Sequence, residues 1–212
     1  MGKRRATTSG ERAARRRHIL SAAAALLEAW SVDDVNIDRI AERAGIAKGT
    51  VYLYFRTREE LFLEVFDRHH ALWLEAVETA LGSAADELSP GDAGRIFVAS
   101  LTERPLLLRL YGRLGALLGG SVSPQAMQDF RLRQTTRLTS VAQVLHRRFP
   151  RLTIVQAQRW MFRMEVFVAG IAPLGLPTQA TAGWLTGPEQ GGFVVDLESE
   201  LQYIAVTMLL TP

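Results

Sequence analysis

The most constraining stretch runs from Asn36 to Phe62, where two short apolar-periodic segments flank a glycine and a longer one follows at once. Asn36 is an N-cap residue type, because its side-chain oxygen accepts a free backbone N–H of the first helical turn. Ile37, Ile40, Ala41 and Ala44 then recur at i, i+3, i+4 and i+7, one face of a helix. Gly45 follows, the residue that most readily takes the left-handed conformation ending a helix, and Ile46 turns back into the core. Lys48 to Phe55 predicts a second short helix with Val51, Tyr52 and Phe55 inward. Lys48, Gly49, Thr50 and Tyr54 are left on or near its outer surface. Helix, glycine-containing turn, helix is the helix-turn-helix arrangement, whose second helix is the one shaped to enter a major groove.

The charge distribution agrees with that reading. Residues 1–60 hold twelve Lys/Arg against eight Asp/Glu, whereas the rest of the chain holds thirteen against fourteen. All of the positive excess therefore lies in the segment that would need to neutralise phosphates. Residues 1–17 alone carry seven basic side chains, ending at Arg17, and one acidic one. Taken by itself such a run is most often a solvated tail; its coincidence with the helix-turn-helix favours a DNA partner.

Ile-Ala-Glu-Arg-Ala-Gly-Ile-Ala-Lys-Gly-Thr-Val-Tyr-Leu-Tyr-Phe, residues 40–55, closely resembles the DNA-binding signature of the TetR family of transcriptional regulators. The resemblance runs from about Arg17 to about Phe66, roughly a quarter of the chain. Gly45, Gly49-Thr50, Tyr52 and Tyr54-Phe55 sit at the family's spacings. Two positions depart from its pattern: Ser31 stands where a glycine is common, and Ala47 where a capping serine is frequent. The missing cap costs about 1 kcal/mol locally. The resemblance implies an all-helical C-terminal domain that dimerises and binds small ligands, with the fourth helix as the lever that carries ligand state to the head.

The remainder of the chain reads as helices too, about nine in all, so the fold class is all-α. The first helix spans about Glu11 to Trp30, its apolar stripe running from Ile19 to Trp30. Thr57 and Glu60 form a capping-box pattern that opens a helix to about residue 81. Residues 82–94 read as a loop, followed by helices at about 92–102 and 103–118. Ser123-Pro124 opens a helix to about Arg148, and Thr153 with Gln156 forms a second capping box for a helix from Ile154 to about Ile171. Residues 172–195 read as a long irregular loop, and Asp196 caps a final helix. The expected organisation is a disordered basic arm at 1–10, a DNA-binding domain at 11–57 and a helical ligand-binding and dimerisation domain at 58–212.

For DNA contact the expected residues are Arg17, Asn36, Lys48, Gly49, Thr50, Tyr52, Tyr54, Thr57 and Arg58. A recognition helix reads bases with its N-terminal residues, which favours Lys48, Gly49 and Thr50. Lysine donates to guanine acceptors, and the threonine methyl touches the thymine methyl. Tyr54 and the Tyr52 hydroxyl suit phosphate, and Asn36, Thr57 and Arg58 stand at helix N-termini whose free N–H groups bind phosphate. The plainer alternative is that the tyrosines only pack the head.

In the C-terminal segment, Trp73, Phe97, Leu110, Tyr111, Leu114, Phe130, Trp160, Met164 and Phe167 are candidates to line an apolar effector cavity. A packed core at helical spacing explains them equally well. Glu165 stands out as a carboxylate on a very apolar helix; it suits a cationic ligand, an arginine partner or a dimer edge. Ile154, Met161 and Val168, with Leu197, Leu201, Ile204 and Met208, form the expected dimer seam, a two-fold four-helix bundle.

Enzyme chemistry is poorly supported. There is no cysteine, no His-Glu-x-x-His, no phosphate loop, no Gly-x-Ser-x-Gly and no dinucleotide fingerprint. No metal or cofactor is expected. No apolar run approaches the ~18 residues of a membrane span, and no signal peptide precedes the head, so a cytoplasmic protein without membrane contact is expected. These features predict a dimeric regulator of the repressor type that binds a palindromic operator and is released by a small apolar or amphipathic effector. The alternative is a small-molecule-binding or protein-interaction dimer with a vestigial head.

Overall fold

The computed structural model describes residues 9–84, 87–176 and 195–211. Ten α-helices occur among the described residues, and no strand. The N-terminal head comprises α1 (Ser9–Ala29), α2 (Ile37–Arg43) and α3 (Lys48–Tyr52). The body comprises α4 (Arg58–Ser83), α5 (Pro90–Thr102), α6 (Pro105–Tyr111), α7 (Leu114–Gly119), α8 (Pro124–Arg148), α9 (Ile154–Gly175) and α10 (Leu197–Leu210).

Local chemistry sets most of these boundaries. Asn36 Oδ1 accepts the Arg39 N–H at 3.0 Å and starts α2. Gly45, with φ of +63°, reverses the chain after it, a conformation that a Cβ would strain. At α9 both halves of the capping box form: Gln156 N–H donates to Thr153 Oγ1 at 3.2 Å, and Thr153 N–H donates to Gln156 Oε1 at 2.8 Å. An equivalent box of Ser89 and Asp92 opens α5, so the 82–94 loop is shorter than expected. The box expected at α4 forms only in half. Glu60 N–H donates to Thr57 Oγ1 at 3.0 Å, but the Glu60 carboxylate takes the Arg56 and Ser123 N–H groups, at 3.1 and 2.9 Å.

Several helix bounds differ from expectation. The 103–118 helix is two helices, broken around Gly112 and Arg113, where glycine's low helix propensity coincides with a tight approach. A Cβ on Gly112 would lie 3.4 Å from the Pro173 ring. Second, α9 continues past residue 171 and carries Pro173 within it, ending at Gly175. Third, α3 ends at Tyr52, with Leu53 and Tyr54 in a turn. Ser9 and Gly10, expected in the arm, belong to α1. The rest of the expected arm and most of the 172–195 loop lie outside the described residues.

One apolar cluster runs from Ile19 in the head to Leu209 in α10. The 26-residue α4 is its spine; at 1.5 Å per residue it is about 39 Å long. It packs chiefly on α8 and α5 and also on α1 of the head. Asp67 of α4, buried, holds Arg133 Nε at 2.7 Å and Arg137 Nη1 at 2.5 Å, tying α4 to α8. Trp160 of α9 donates its indole N–H to Ala205 O of α10 at 3.0 Å. No described helix is long and apolar enough to cross a membrane.

Candidate nucleic-acid interface and buried core cluster

On the head, Val51 and Phe55 are buried and anchor α3 inward. Tyr52, expected inward, is instead 47% exposed, and Leu53 beside it is 72% exposed. Tyr54 is the half-buried one and packs against the core. Tyr52 is the last residue of α3, one position on from buried Val51 and so turned off its face, whereas Leu53 and Tyr54 lie in the turn that follows. Lys48 and Gly49 are exposed and Thr50 half-exposed, which leaves the first turn of α3 open to a partner. A Cβ on Gly49 would meet nothing within 4 Å.

Lys48 Nζ is held by Asp38 Oδ2 at 2.8 Å, across the turn from α2. That hydrogen bond, and then the Asp38 charge, raises the lysine's pKa and keeps it cationic. The pair is exposed, so releasing it to a guanine or a phosphate costs little. Asn36 is exposed with its oxygen used as the α2 cap. Thr57 and Arg58, expected to meet phosphate, are engaged within the protein. The Thr57 hydroxyl accepts the Glu60 N–H and donates to Ser121 O at 2.9 Å. Arg58 pairs with Glu59 at 3.2 Å, reaches Val35 O at 3.4 Å and lies over the Phe62 ring. Arg17 is exposed and lines a surface groove of about 400 Å³ with Leu20, Glu64, Arg68, Leu72 and Arg137.

Sequence reasoning missed the arginines that brace the recognition element. Arg16 Nη1 donates to Tyr54 O at 2.8 Å, its Nε donates to Glu64 at 2.8 Å, and its guanidinium covers the Phe55 ring at 4.3 Å. Arg12 approaches the Tyr54 ring at 6.0 Å. His18 Nε2 donates to Ala44 O at 2.9 Å and closes the end of α2. Their position on the polar flank of α1 facing an aromatic pair was the available signal.

Among the described residues, four contacts link the head and the first turn of α4 to the segment from α6 to the start of α8. Besides Thr57 to Ser121 and Ser123 to Glu60, Arg113 pairs with Asp33, and Arg109 Nη2 donates to Glu28 O at 2.9 Å, near the end of α1. All four partners in the body lie between residues 109 and 123, the segment from α6 to the start of α8.

In the body, the expected effector residues are brought together. Trp73 and Phe97 meet edge-on with centroids 4.9 Å apart, Phe97 and Trp160 at 5.2 Å, and Trp73 and Tyr111 at 6.2 Å. Phe130 joins through Phe66, at 6.0 Å. Leu110 and Met164 are buried in the same core, while Leu114 and Phe167 are half-buried at its edge. Glu165 is neither paired with arginine nor at a surface. Its carboxylate is buried against His70 Nε2, Tyr111 Oη at 3.4 Å and Gln134 Nε2 at 3.2 Å. Burial, then the Glu165 charge, pushes the Tyr111 phenol well above its ordinary pKa, so it stays protonated. His70 and Gln134 were missed. The signal was there, since His70 lies four residues after Phe66 and three before Trp73 on α4, and Gln134 lies four after Phe130 on α8.

Part of the expected dimer seam is taken up by the subunit's own core: Met161, Val168 and Leu201 are each 0% exposed within the subunit. Ile154, Leu197, Ile204 and Met208 are half-buried against the same core. The outward apolar side chains of these helices are Val155, Phe162 and Val166 on α9 and Tyr203 and Leu210 on α10. Both helices are apolar on two faces, and periodicity alone did not say which face the body had claimed.

Residues 19–65 match the family model for bacterial regulatory proteins of the tetR family, and residues 67–210 that for the tetracyclin repressor-like C-terminal domain. The fatty acid metabolism regulator protein of Bacillus subtilis is 25% identical over 115 residues, 48% of this chain and 59% of that one. The HTH-type transcriptional regulator EthR of Mycobacterium tuberculosis is 39% identical over 67 residues, 32% of this chain and 30% of that one. The matches thus span less than two thirds of these relatives' own lengths. Among solved structures, FadR of Bacillus subtilis in complex with stearoyl-CoA has a TM-score of 0.54 at 16% identity, covering 91% of this chain and 98% of that one. A TetR transcriptional regulator from Rhodococcus sp. RHA1 has a TM-score of 0.56 at 18% identity, covering 94% and 97%. At such identities the likeness is one of fold.

Proposed function

Because this chain belongs to the TetR family of bacterial helix-turn-helix transcriptional regulators, we propose that it acts as a dimeric repressor of a palindromic operator, released by a small apolar or amphipathic effector. Residues 11–57 would read DNA, and residues 58–212 would dimerise and hold the effector. The observation that carries this reading is the open first turn of α3, where Lys48 and Gly49 stand exposed and Thr50 half-exposed on a buried Val51–Phe55 anchor. Tyr52, outward and polar-tipped, extends that face. Two copies related by a two-fold axis would place their α3 helices in successive major grooves, about 34–36 Å apart. The exposed apolar side chains of α9 and α10 support such a pairing through these helices.

The four clasps give effector binding a route to the head. Tyr111 touches Glu165 in the core and belongs to α6, the helix whose Arg109 holds the end of α1. An effector that displaced α6 would act on both. Coupling of this kind is typically 1–3 kcal/mol.

The test is gel-shift binding to the DNA just upstream of the protein's own coding region, followed by selection from random sequences. Contacts to 6–10 phosphates predict a loss of roughly 10³–10⁵ in affinity between 50 and 200 mM salt. Lys48→Ala is expected to weaken binding and flatten the salt slope by about one unit if Lys48 meets phosphate. A flat salt response, with no sequence selected, would instead favour a vestigial head, the reading suggested by the uncapped Ala47.

A further inference from the structure

The groove that Arg17 lines holds positive charge that the protein leaves unmatched. It lies where α1 of the head meets α4 and α8 of the body, and its volume of about 400 Å³ falls in the range of ordinary ligand sites. Arg17 of α1, Arg68 of α4 and Arg137 of α8 line it, with Leu20, Ala71 and Leu72 among them. Arg17 and Arg68 are exposed and make no ion pair or hydrogen bond with any described residue. Arg137 uses one nitrogen, Nη1, on Asp67. The two carboxylates at the groove are already matched: Arg16 takes Glu64, and Arg133 shares Asp67 with Arg137. A guanidinium stays charged and only donates, so the chemistry offered to a ligand is fixed.

The groove also has an apolar continuation. A second depression of about 240 Å³ shares Leu20, Arg68 and Leu72 with it and runs between α1 and α4 past Ala24, Ala25 and Val65. Leu72, common to both, is 52% exposed. Glu28 lines the second depression too, about 16 Å along α1 from Arg17 at 1.5 Å per residue. Its charge disfavours an anion at that end, which sets a direction for the ligand. A phosphodiester backbone has nothing apolar to fill the continuation, and Arg137 belongs to the body, so a small molecule fits better than DNA.

We propose that this junction groove is a ligand site for a compact organic anion: a carboxylate or phosphate group held by Arg17, Arg68 and Arg137, on an apolar body lying against Leu20 and Leu72. Guanidinium forks donate in pairs to either oxyanion. The site is separate from the aromatic core of the body and does not depend on that core holding a ligand. The bound anion spans α1 of the head and α8 of the body, so a movement that draws Arg17 away from Arg137 costs the complex its contacts.

The experiment titrates the full chain by calorimetry with four probes: para-butylbenzoate, para-butylphenyl phosphate, the uncharged para-butylbenzamide and inorganic phosphate. The tighter of the two aryl anions identifies the head group, and it should bind about tenfold tighter than the amide, equivalent to about 1.4 kcal/mol. Inorganic phosphate should bind more weakly than the aryl phosphate, because it leaves the apolar continuation empty. Arg68→Ala removes an exposed side chain with no internal partner, so its circular dichroism and Tm should match the parent. It should lose about tenfold for the aryl anion while the amide changes by less than about twofold. Equal affinities for amide and anions, an anion affinity unmoved by Arg68→Ala, or inorganic phosphate as tight as the aryl phosphate would each overturn the proposal. So would a fall in operator affinity of Arg68→Ala without ligand, which would assign these arginines to the DNA backbone. No binding by either aryl anion overturns it as well, while operator binding in the gel shift stands or falls separately.

Discussion

Replacing Glu60 with glutamine tests the clasp between head and body. The Glu60 carboxylate, in the first turn of α4, joins the two: it accepts the Arg56 N–H of the head at 3.1 Å and the Ser123 N–H at the start of α8 at 2.9 Å. Hydrogen bonds to a charged group contribute roughly 1.5–3 kcal/mol each and neutral ones about 0.5–1.5. Glutamine keeps one amide oxygen and loses the charge, so the expected loss is about 1–3 kcal/mol. For a chain of this size that lowers Tm by roughly 2–4 °C per kcal/mol. Burial raises the Glu60 carboxyl, but hydrogen bonds from Ser123 and Arg56, with the Arg56 charge, outweigh it and leave the pKa below the ordinary 4.5. A carboxyl whose pKa falls on folding stabilises the fold above its unfolded value, and that stability is lost as pH falls through the folded value. The gap between parent and Glu60→Gln should therefore be full at neutral pH and close as pH drops below 4.5. Scanning calorimetry at matched protein concentration reads it. No gap at neutral pH, or an undiminished gap in acid, would refute the clasp.

Asp38→Ala should release Lys48 with little change in stability, because the pair is exposed. Operator affinity, read by fluorescence anisotropy at fixed salt, should rise, and a fall would count against Lys48 as a DNA contact. Gly45→Ala forces a Cβ into φ of +63° and should cost about 1–2 kcal/mol in urea unfolding; an unchanged midpoint would show that the turn relaxes. Phe162→Glu should shift the monomer–dimer equilibrium in sedimentation while leaving the fold intact. Met161→Ala should instead remove about 2–5 kcal/mol of subunit stability through a core cavity. If Met161→Ala alone separates the dimer, the outward face of α9 has been assigned backwards.

The parts legible from the sequence share one property: their partners lie within about four residues, as helix caps and amphipathic faces do. Asn36 capping α2, Gly45 reversing the chain and Thr153 with Gln156 opening α9 are all of this kind. Glu60 shows the limit. The same pattern predicted a capping box, but its carboxylate found the Ser123 N–H, 63 positions away. Tyr54 packed inward where α3 had already given way to a turn after residue 52, and a helical wheel cannot report where a short helix ends.

By itself, the sequence determined the helical class, the helix-turn-helix, the basic head and the aromatic composition of the body, since each follows from local propensity, period or charge. Tertiary structure alone decided which apolar face of α9 and α10 the subunit keeps for itself. It also gave Arg58 and Thr57 partners within the protein, Glu59 and Val35 O for the one and Ser121 O for the other. And it set His70 of α4 against Glu165 of α9, 95 residues apart. Those outcomes depend on how the helices pack side by side, and a pairing between distant segments leaves no periodic trace in either one.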